Sequence, residues 1–280
     1  MIVRNIIGKI SKQEVEEQNT ESVENNEKER KREEERAGAR HDLGELQKGE
    51  KRKRKARSDK GAVLITSRDE VALRWIGEQY AIRIDQLQVV LGRQAQARTE
   101  AEGIISEGTA RRVVTRWVKA GWVERRKIFH REPDWVWLTR AGMQLAGLAY
   151  FAGQPSPVML RHYFQVNRIR LSVEQRHGAD RWVCERAIKP QRQRVQDVHY
   201  ADAEVRIDEA TVGLEIELTV KKAAKLAAIV AGLAREYRTV WYFVKPEVLR
   251  GVRQAIAYLP AAEQRRFRLY DIETLTEIAP

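Results

Sequence analysis

Three acidic side chains are placed where two neighbouring strands of one sheet are predicted. Glu215 and Glu217 alternate with leucine and isoleucine, so in a strand the two glutamates share one face and the apolar residues share the other. Asp202 lies in a second strand-like run, residues 201–207, and a turn is predicted at residues 208–209. If the two runs pair as a hairpin, Asp202 lies beside the glutamate pair.

Carboxylates grouped in this way are suited to bind a divalent cation. Mg²⁺ prefers carboxylate oxygens and is commonly held by one or two of them together with phosphate oxygens. A Mg²⁺ or Mn²⁺ ion held by Asp202, Glu215 and Glu217 would support metal-assisted phosphodiester hydrolysis. The simpler alternative is that the two glutamates form the solvated face of an ordinary antiparallel strand.

The composition favours a nucleic acid as the partner. Fifty-two basic and 40 acidic residues give a net charge of +12 over 280 residues, which suits a polyanion. Cys184 is the only cysteine, which excludes an intrachain disulfide and a structural zinc site built from a cysteine cluster, and fits a reducing cytoplasm. The apolar run at residues 1–10 is too short for a secretory signal, and we expect a cytoplasmic, DNA-associated protein without a membrane partner.

The chain divides into three parts joined by one linker. Residues 1–61 are charged and predict a disordered or solvated-helix tail, in which residues 51–57 hold six bases. The alternative is an arm that gains DNA affinity by releasing counterions from phosphates. Residues 62–150 predict a DNA-binding domain, residues 151–158 a linker, and residues 159–280 a second domain.

The first domain has the pattern of a winged helix-turn-helix. Two amphipathic helices are followed by a third, which Ser106 can cap and Gly121 can end. A hairpin over residues 122–129 and 135–138 comes next, and Thr139 can cap a further helix. The predicted buried stripe of the third helix is Ala110, Val113, Val114, Trp117 and Val118.

The third helix and the hairpin carry a strong positive charge. Residues 108–131 contain eight bases and one acid, Glu124, as a helix that enters the major groove and its wing require. Direct base readout would fall to Arg112, Thr115 and Arg116, whereas the alternative is a winged helix used for protein contacts. The predicted DNA-binding residues are Arg111, Arg112, Thr115, Arg116, Lys119, Arg125, Arg126, Lys127 and Arg131.

The second domain alternates helices and strands and predicts an α+β or α/β fold with a mixed sheet. Residues 239–244 are six consecutive strand formers, which favours a strand that is covered on both faces and paired in parallel. The other predicted elements are helices at 160–171, 223–237 and 247–258 and strands at 182–188, 201–207, 212–219 and 266–272.

This order of elements resembles the PD-(D/E)xK nuclease superfamily, with Asp202 on the second strand and Glu215 on the third. Across residues 66–273 the chain is more closely similar to the replication-relaxation family of plasmid and integrative-element proteins. The residues that carry this resemblance are Leu138-Thr-Arg-Ala-Gly142, Arg161-His-Tyr-Phe-Gln-Val-Asn167, His199-x-x-Asp202 and Glu215-Ile-Glu217-Leu-Thr219, with Lys221-Lys222 behind them.

The resemblance implies a restriction-endonuclease-like domain behind the winged helix and binding to double-stranded DNA in the replication or relaxation of a mobile element. It carries Asp202 and Glu215 over as metal-site candidates and adds Glu185 as a fourth acid. His199 either contacts phosphate or is structural. An oligomer is compatible with this arrangement.

Two residues depart from the superfamily pattern. Ala201 stands where the superfamily has a proline, and Glu217 stands where it has a lysine. Lys221 or Lys222, one turn into the next helix, could replace that lysine and orient or activate a water molecule.

Three classes of function follow. The first is a DNA-binding protein with a nuclease-like second domain that nicks or grips DNA. The second is a non-catalytic winged-helix regulator with a degenerate nuclease fold. The third is an accessory factor that recruits a replication or mobilisation protein.

Overall fold

The computed structural model describes residues 64–93, 103–191 and 199–278. The predictions for the charged tail, residues 1–61, lie outside these ranges. Residues Ala62–Pro280 form one compact unit. It is a mixed α/β fold with an antiparallel three-stranded sheet and a mixed five-stranded sheet.

The first half of the unit combines a three-stranded sheet with four helices. The strand order of this sheet is β1-β3-β2, and both pairs are antiparallel. The elements are α1 (Ser67–Glu78), β1 (Ile82–Arg83), α2 (Ile84–Arg93), α3 (Glu107–Lys119), β2 (Val123–Arg126), β3 (Trp135–Leu138) and α4 (Arg140–Leu145).

Local signals in the sequence define the ends of these helices. Ser106 accepts a hydrogen bond from the backbone of Thr109 and caps α3, and Thr139 caps α4 in the same way. Gly121 has a φ of 74° just after α3. A Cβ on Gly142 would lie 2.0 Å from the carbonyl oxygen of Trp122, so this close approach requires a glycine. The predicted caps and hairpin are confirmed.

Three details of the first half differ from the prediction. Val118 was placed on the buried stripe of α3, but its side chain is 41% exposed, because the buried face ends at Trp117. The sequence pattern places Tyr80 on the buried face of the first helix together with Ala72, Trp75 and Ile76, but Tyr80 follows the end of α1 with a φ of 65°. The strand β1 was not predicted, since two residues are too few for a periodic pattern.

The second sheet has the order β4-β5-β6-β7-β8. Its β4, β5 and β6 are antiparallel, whereas β6, β7 and β8 are parallel. The elements are α5 (Pro157–His177), a 3-10 turn (Ala179–Arg181), β4 (Trp182–Cys184), α6 (Glu185–Gln191), β5 (Ala203–Ile207), β6 (Ala210–Glu217), α7 (Ala223–Glu236), β7 (Thr239–Val244), α8 (Pro246–Ala257), α9 (Ala261–Gln264) and β8 (Phe267–Asp271).

The predicted parallel strand at residues 239–244 is confirmed as β7, which lies between β6 and β8. The predicted strand at residues 182–188 is wrong beyond Cys184, because the chain turns there into α6. The short helix α9 was not predicted. The predicted turn at residues 208–209 is confirmed, since Ile207 pairs with Ala210 across it.

The two faces of β6 meet different helices. Leu214 and Ile216 belong to the core that includes Val166 and Ile169 of α5. The opposite core holds residues of α7 and α8 and the side chain of Tyr242, which is paired in register with Glu215. The alternation of side chains in a strand therefore places Glu215 and Glu217 on the face towards α7 and α8.

Helix α5 also packs against the first half of the unit through buried polar contacts. The Trp75 indole donates to Glu174 at 2.9 Å, and Arg170 bonds to both Glu174 and Glu78. The Asn167 amide donates to the carbonyl oxygen of Ala81 at 3.0 Å. These bonds between buried groups fix α5 relative to the first half, and its Val166 and Ile169 pack on the second sheet. No helix in the described ranges is long and apolar enough to cross a membrane.

Candidate functional site

A cleft of about 710 Å³ opens between the two sheets. Arg83 of β1 and Trp135 of β3 line one side of it. On the other side lie the end of β6 and the residue that precedes β5. The three acids predicted from the sequence, Asp202, Glu215 and Glu217, all line this cleft.

Asp202 is held by both of its carboxylate oxygens. Its Oδ2 accepts a hydrogen bond from the backbone N–H of Ile216 at 2.8 Å, and its Oδ1 lies 3.0 Å from Nε2 of His162. Since β5 begins at Ala203, Asp202 is in the bend before the strand. The bond to Ile216 fixes this carboxylate beside the end of β6.

The carboxylate of Glu215 is buried in the cleft, and the residue is 2% exposed. Its Oε2 lies 2.8 Å from Nε2 of His199. Burial, and then the charge of Asp202, raise the pKa of Glu215 to about 7, although His199 and Lys221 oppose the shift. Glu217 is equally buried, so the alternative of a solvated strand face is wrong.

Two histidines join the carboxylates, and one of them was not predicted. Burial disfavours the charged form of His162, but the charge of Asp202 and the hydrogen bond to it prevail, so the pKa of His162 is raised. Burial also lowers the pKa of His199, but the hydrogen bond to Glu215 and the charge of Glu215 outweigh this effect. The pKa of His199 is therefore raised as well. His162 lies 40 residues before its partner, and only the packing of α5 brings the two together.

Glu217 is neutralised within the chain. Lys221 bonds directly to its Oε2, and the backbone N–H of Thr219 lies 3.4 Å from its Oε1. The prediction that the two lysines lie one turn into the next helix is wrong, because α7 begins at Ala223 and both precede it. Lys222 is exposed. Of the two candidate lysines, Lys221 is therefore the one that reaches back into the cleft.

Glu185 has other partners. It opens α6, where its Oε2 accepts a hydrogen bond from the Tyr80 hydroxyl at 3.0 Å and its Oε1 lies 2.6 Å from Nζ of Lys189. Among the residues that the structure describes, no three His, Cys, Asp or Glu side chains form a group that could hold a metal ion. Asp202 and Glu215 thus make up a pair of carboxylates, to which Glu185 does not add a third.

The predicted DNA-binding residues of α3 fall into two groups. Arg112, Thr115 and Lys119 are exposed. Arg111 is bonded to Glu107 and Asp134. The predicted basic residues of the hairpin region are all exposed, namely Arg125, Arg126, Lys127 and Arg131.

Arg116 is held by a buried acid. Its guanidinium bonds to Asp69, which is fully buried and also accepts a hydrogen bond from the Trp117 indole at 3.0 Å. Asp69 in turn caps α1 together with Thr66. The sequence suggested a base contact for Arg116, but the structure gives this side chain a partner inside the protein that joins α3 to α1.

The fold and the site together define a mixed α/β protein with an exposed basic helix and a buried carboxylate–histidine cluster. No protein-family model matches this chain, and neither a curated protein nor a solved structure matches it.

Proposed function

We propose that this chain is a DNA-binding protein of a mobile genetic element that acts in replication or DNA relaxation. The first half would be a winged helix-turn-helix and the second a PD-(D/E)xK nuclease-like domain. The observation that carries the proposal is the exposed basic surface of α3, in a unit whose elements follow the order α1-β1-α2-α3-β2-β3.

The arrangement supports a role for α3 as the recognition helix. In helix-turn-helix proteins this helix enters the major groove, while basic residues around it contact phosphates and fix the register. Arg112 and Lys119 are exposed on α3, and neither has an ion-pair partner among the described residues. Arg125 and Arg126 are exposed on β2, which would be the wing, and each forms an ion pair, with Asp134 and Glu124 respectively.

The carboxylate pair supports a nuclease-like second domain. The meander β4-β5-β6 followed by the parallel strands β7 and β8 gives the mixed sheet that the proposal requires. Asp202 and Glu215 suit a hard divalent cation, because the charge of Asp202 acts on the buried carboxylate of Glu215 and raises its pKa. Since two carboxylates are brought together rather than three, a cation would take its other ligands from water and phosphate, as Mg²⁺ commonly does.

In this mechanism the cation would activate water and stabilise the leaving oxygen. The residues of the chain hold and orient the carboxylates. His162 and the N–H of Ile216 fix the two oxygens of Asp202, and His199 fixes Glu215. Lys221 keeps Glu217 neutralised, which lowers the repulsion that a third buried acid would add.

Duplex titration at several salt concentrations tests DNA binding by α3. The variant Arg112→Ala/Lys119→Ala removes two exposed charges and leaves the bond between Arg116 and Asp69 intact. We expect weaker binding and a salt slope reduced by about 0.9 for each lost phosphate contact. Arg250→Ala/Arg265→Ala removes the same charge from exposed positions of the second half and is the matched control. Equal affinities and slopes for the two variants would contradict the proposal.

Relaxation of supercoiled plasmid with Mg²⁺ or Mn²⁺ tests the second domain. We expect metal-dependent nicking by the full chain and its loss in Glu215→Gln and Asp202→Asn, with duplex affinity retained. The other candidate function is a non-catalytic regulator, which is favoured by the pairing of Glu217 with Lys221 at the position of the superfamily's lysine. Duplex binding without any nicking would select that candidate.

A further inference from the structure

We propose that the cleft between the two sheets binds a segment of single-stranded nucleic acid, which continues along a groove on α7. This inference rests on the proposed function and specifies the substrate form that reaches the carboxylate pair. It is carried by the size of the cleft, by the groove that adjoins it and by donors in both that lack partners.

The size of the cleft is the first observation. Its volume of about 710 Å³ lies within the range of small-molecule sites, roughly 300–1,000 Å³. A cleft of this volume can hold one or two nucleotides but not a double helix. Enzymes whose chemistry lies below the surface act on single strands or extrude a nucleotide from the duplex. With Glu215 at 2% exposed, the same constraint applies here.

A second concavity extends the cleft along one helix. It has a volume of about 660 Å³ and shares His199 and Lys225 with the cleft. Its floor includes Ala228 and Gly232. Arg235 lies at its far end beside Glu236, two turns of α7 after Ala228. Small side chains on the floor and cations at both ends make a path on which the backbone of a strand can lie.

The groups along this path have free charge and hydrogen-bonding capacity. Lys225 and Arg235 are exposed and take part in no ion pair among the described residues, and the same holds for Arg161 at the cleft. These cations match the phosphates of a nucleic-acid strand.

An aromatic side chain adds a surface for a base. The ring of Phe164 lines the cleft and is partly exposed, and the guanidinium of Arg83 lies 4.0 Å from the ring centroid. Proteins that bind single strands combine such rings and arginines with a basic groove. Together these features favour a flexible strand over a small anion, which would need only one of the cations.

The test is fluorescence anisotropy with a labelled oligothymidylate of eight nucleotides and, separately, a labelled duplex, using the full chain. Lys225→Glu/Arg235→Glu reverses two exposed charges on α7. We expect at least tenfold weaker oligothymidylate binding in this variant and duplex affinity within twofold of the parent. Arg250→Glu/Arg265→Glu makes the same charge change outside the path and should leave both affinities near those of the parent.

Two outcomes overturn the inference: oligothymidylate binding that is absent in the parent chain, or a loss that is equal in the α7 variant and its control. Arg112→Ala/Lys119→Ala separates this result from the proposed function. It should weaken duplex binding alone. A parent that binds duplex through α3 but not the oligonucleotide refutes the cleft and leaves the proposed function standing. Oligonucleotide binding that depends on α7, without duplex binding, supports the cleft as a single-strand site and refutes duplex binding by α3.

Discussion

Glu215 should make the folded protein less stable as the pH rises towards neutrality. Burial and the charge of Asp202 raise its pKa from the ordinary value of 4.5 to about 7, so the folded state holds the proton more tightly than the unfolded state. The stability that this proton contributes is fully present below about pH 4.5 and is lost as the pH rises through about 7. The replacement Glu215→Gln removes this titration and keeps the size of the side chain.

The size of the effect follows from the shift. One pKa unit corresponds to about 1.4 kcal/mol, so the shift of Glu215 lowers the free energy of unfolding by about 3 kcal/mol across this window. His199 and His162 act in the same direction, because the pKa of each is also raised and each loses its proton as the pH rises. Glu215 and His199 share a hydrogen bond, so they titrate as a pair.

Urea unfolding at pH 5, 6, 7 and 8 measures the effect. We expect the free energy of unfolding of the parent to fall over this range by clearly more than that of Glu215→Gln. Glu209→Gln, at an exposed turn, should follow the parent. A divalent cation would replace the lost protons, so Mg²⁺ at a hundredfold excess over its dissociation constant should restore about 2.7 kcal/mol near pH 8.

Parallel profiles for the parent and Glu215→Gln would refute this reasoning. So would a parent chain that is most stable at pH 8 without Mg²⁺. If the profile behaves as expected but Mg²⁺ changes nothing at any pH, the carboxylate pair is buried as described and does not bind the cation.

Two further predictions concern the architecture. Removal of residues 1–60 should leave the melting temperature nearly unchanged, because this segment has little periodic apolar surface to bury, and a large drop measured by circular dichroism would contradict that. Asp69→Ala should lower the free energy of unfolding by about 3–5 kcal/mol, because it leaves the Arg116 guanidinium and the Trp117 indole without their buried partner. Urea titration measures this loss. A loss below about 1 kcal/mol would mean that the contact is not structural.

The sequence predicts those parts of the fold in which local pattern and capping agree. The stripe of α3 with its cap at Ser106, the cap at Thr139 and the unbroken apolar run of β7 are of this kind, and each is present. It fails where three or four residues must choose between strand and helix. After Cys184 the sequence continues with the charged residues Glu185 and Arg186 before the apolar Ala187 and Ile188. In the structure these residues begin α6, and Arg186 bonds the carbonyl oxygens of Gly77 and Phe151.

For the candidate site, the sequence predicts the local features but not the partners that come from distant parts of the chain. The spacing of Asp202 and Glu215 and the turn between their strands are local features, so the pairing of β5 with β6 follows from them. The partners of these acids do not follow. His162 comes from a helix 40 residues earlier, and Arg116 is a surface residue in every local pattern but bonds to an acid 47 residues before it.

Helix α5 connects the two halves of the proposed function physically. His162 near its start bonds to Asp202, while Arg170 and Glu174 further along bond to α1 and to each other. All of these side chains are largely buried, so α5 cannot rotate or slide without breaking bonds at both ends. The cleft therefore keeps one orientation relative to the basic face of α3, and DNA held by that face would present its strands to the carboxylates at a fixed position rather than through a flexible linker.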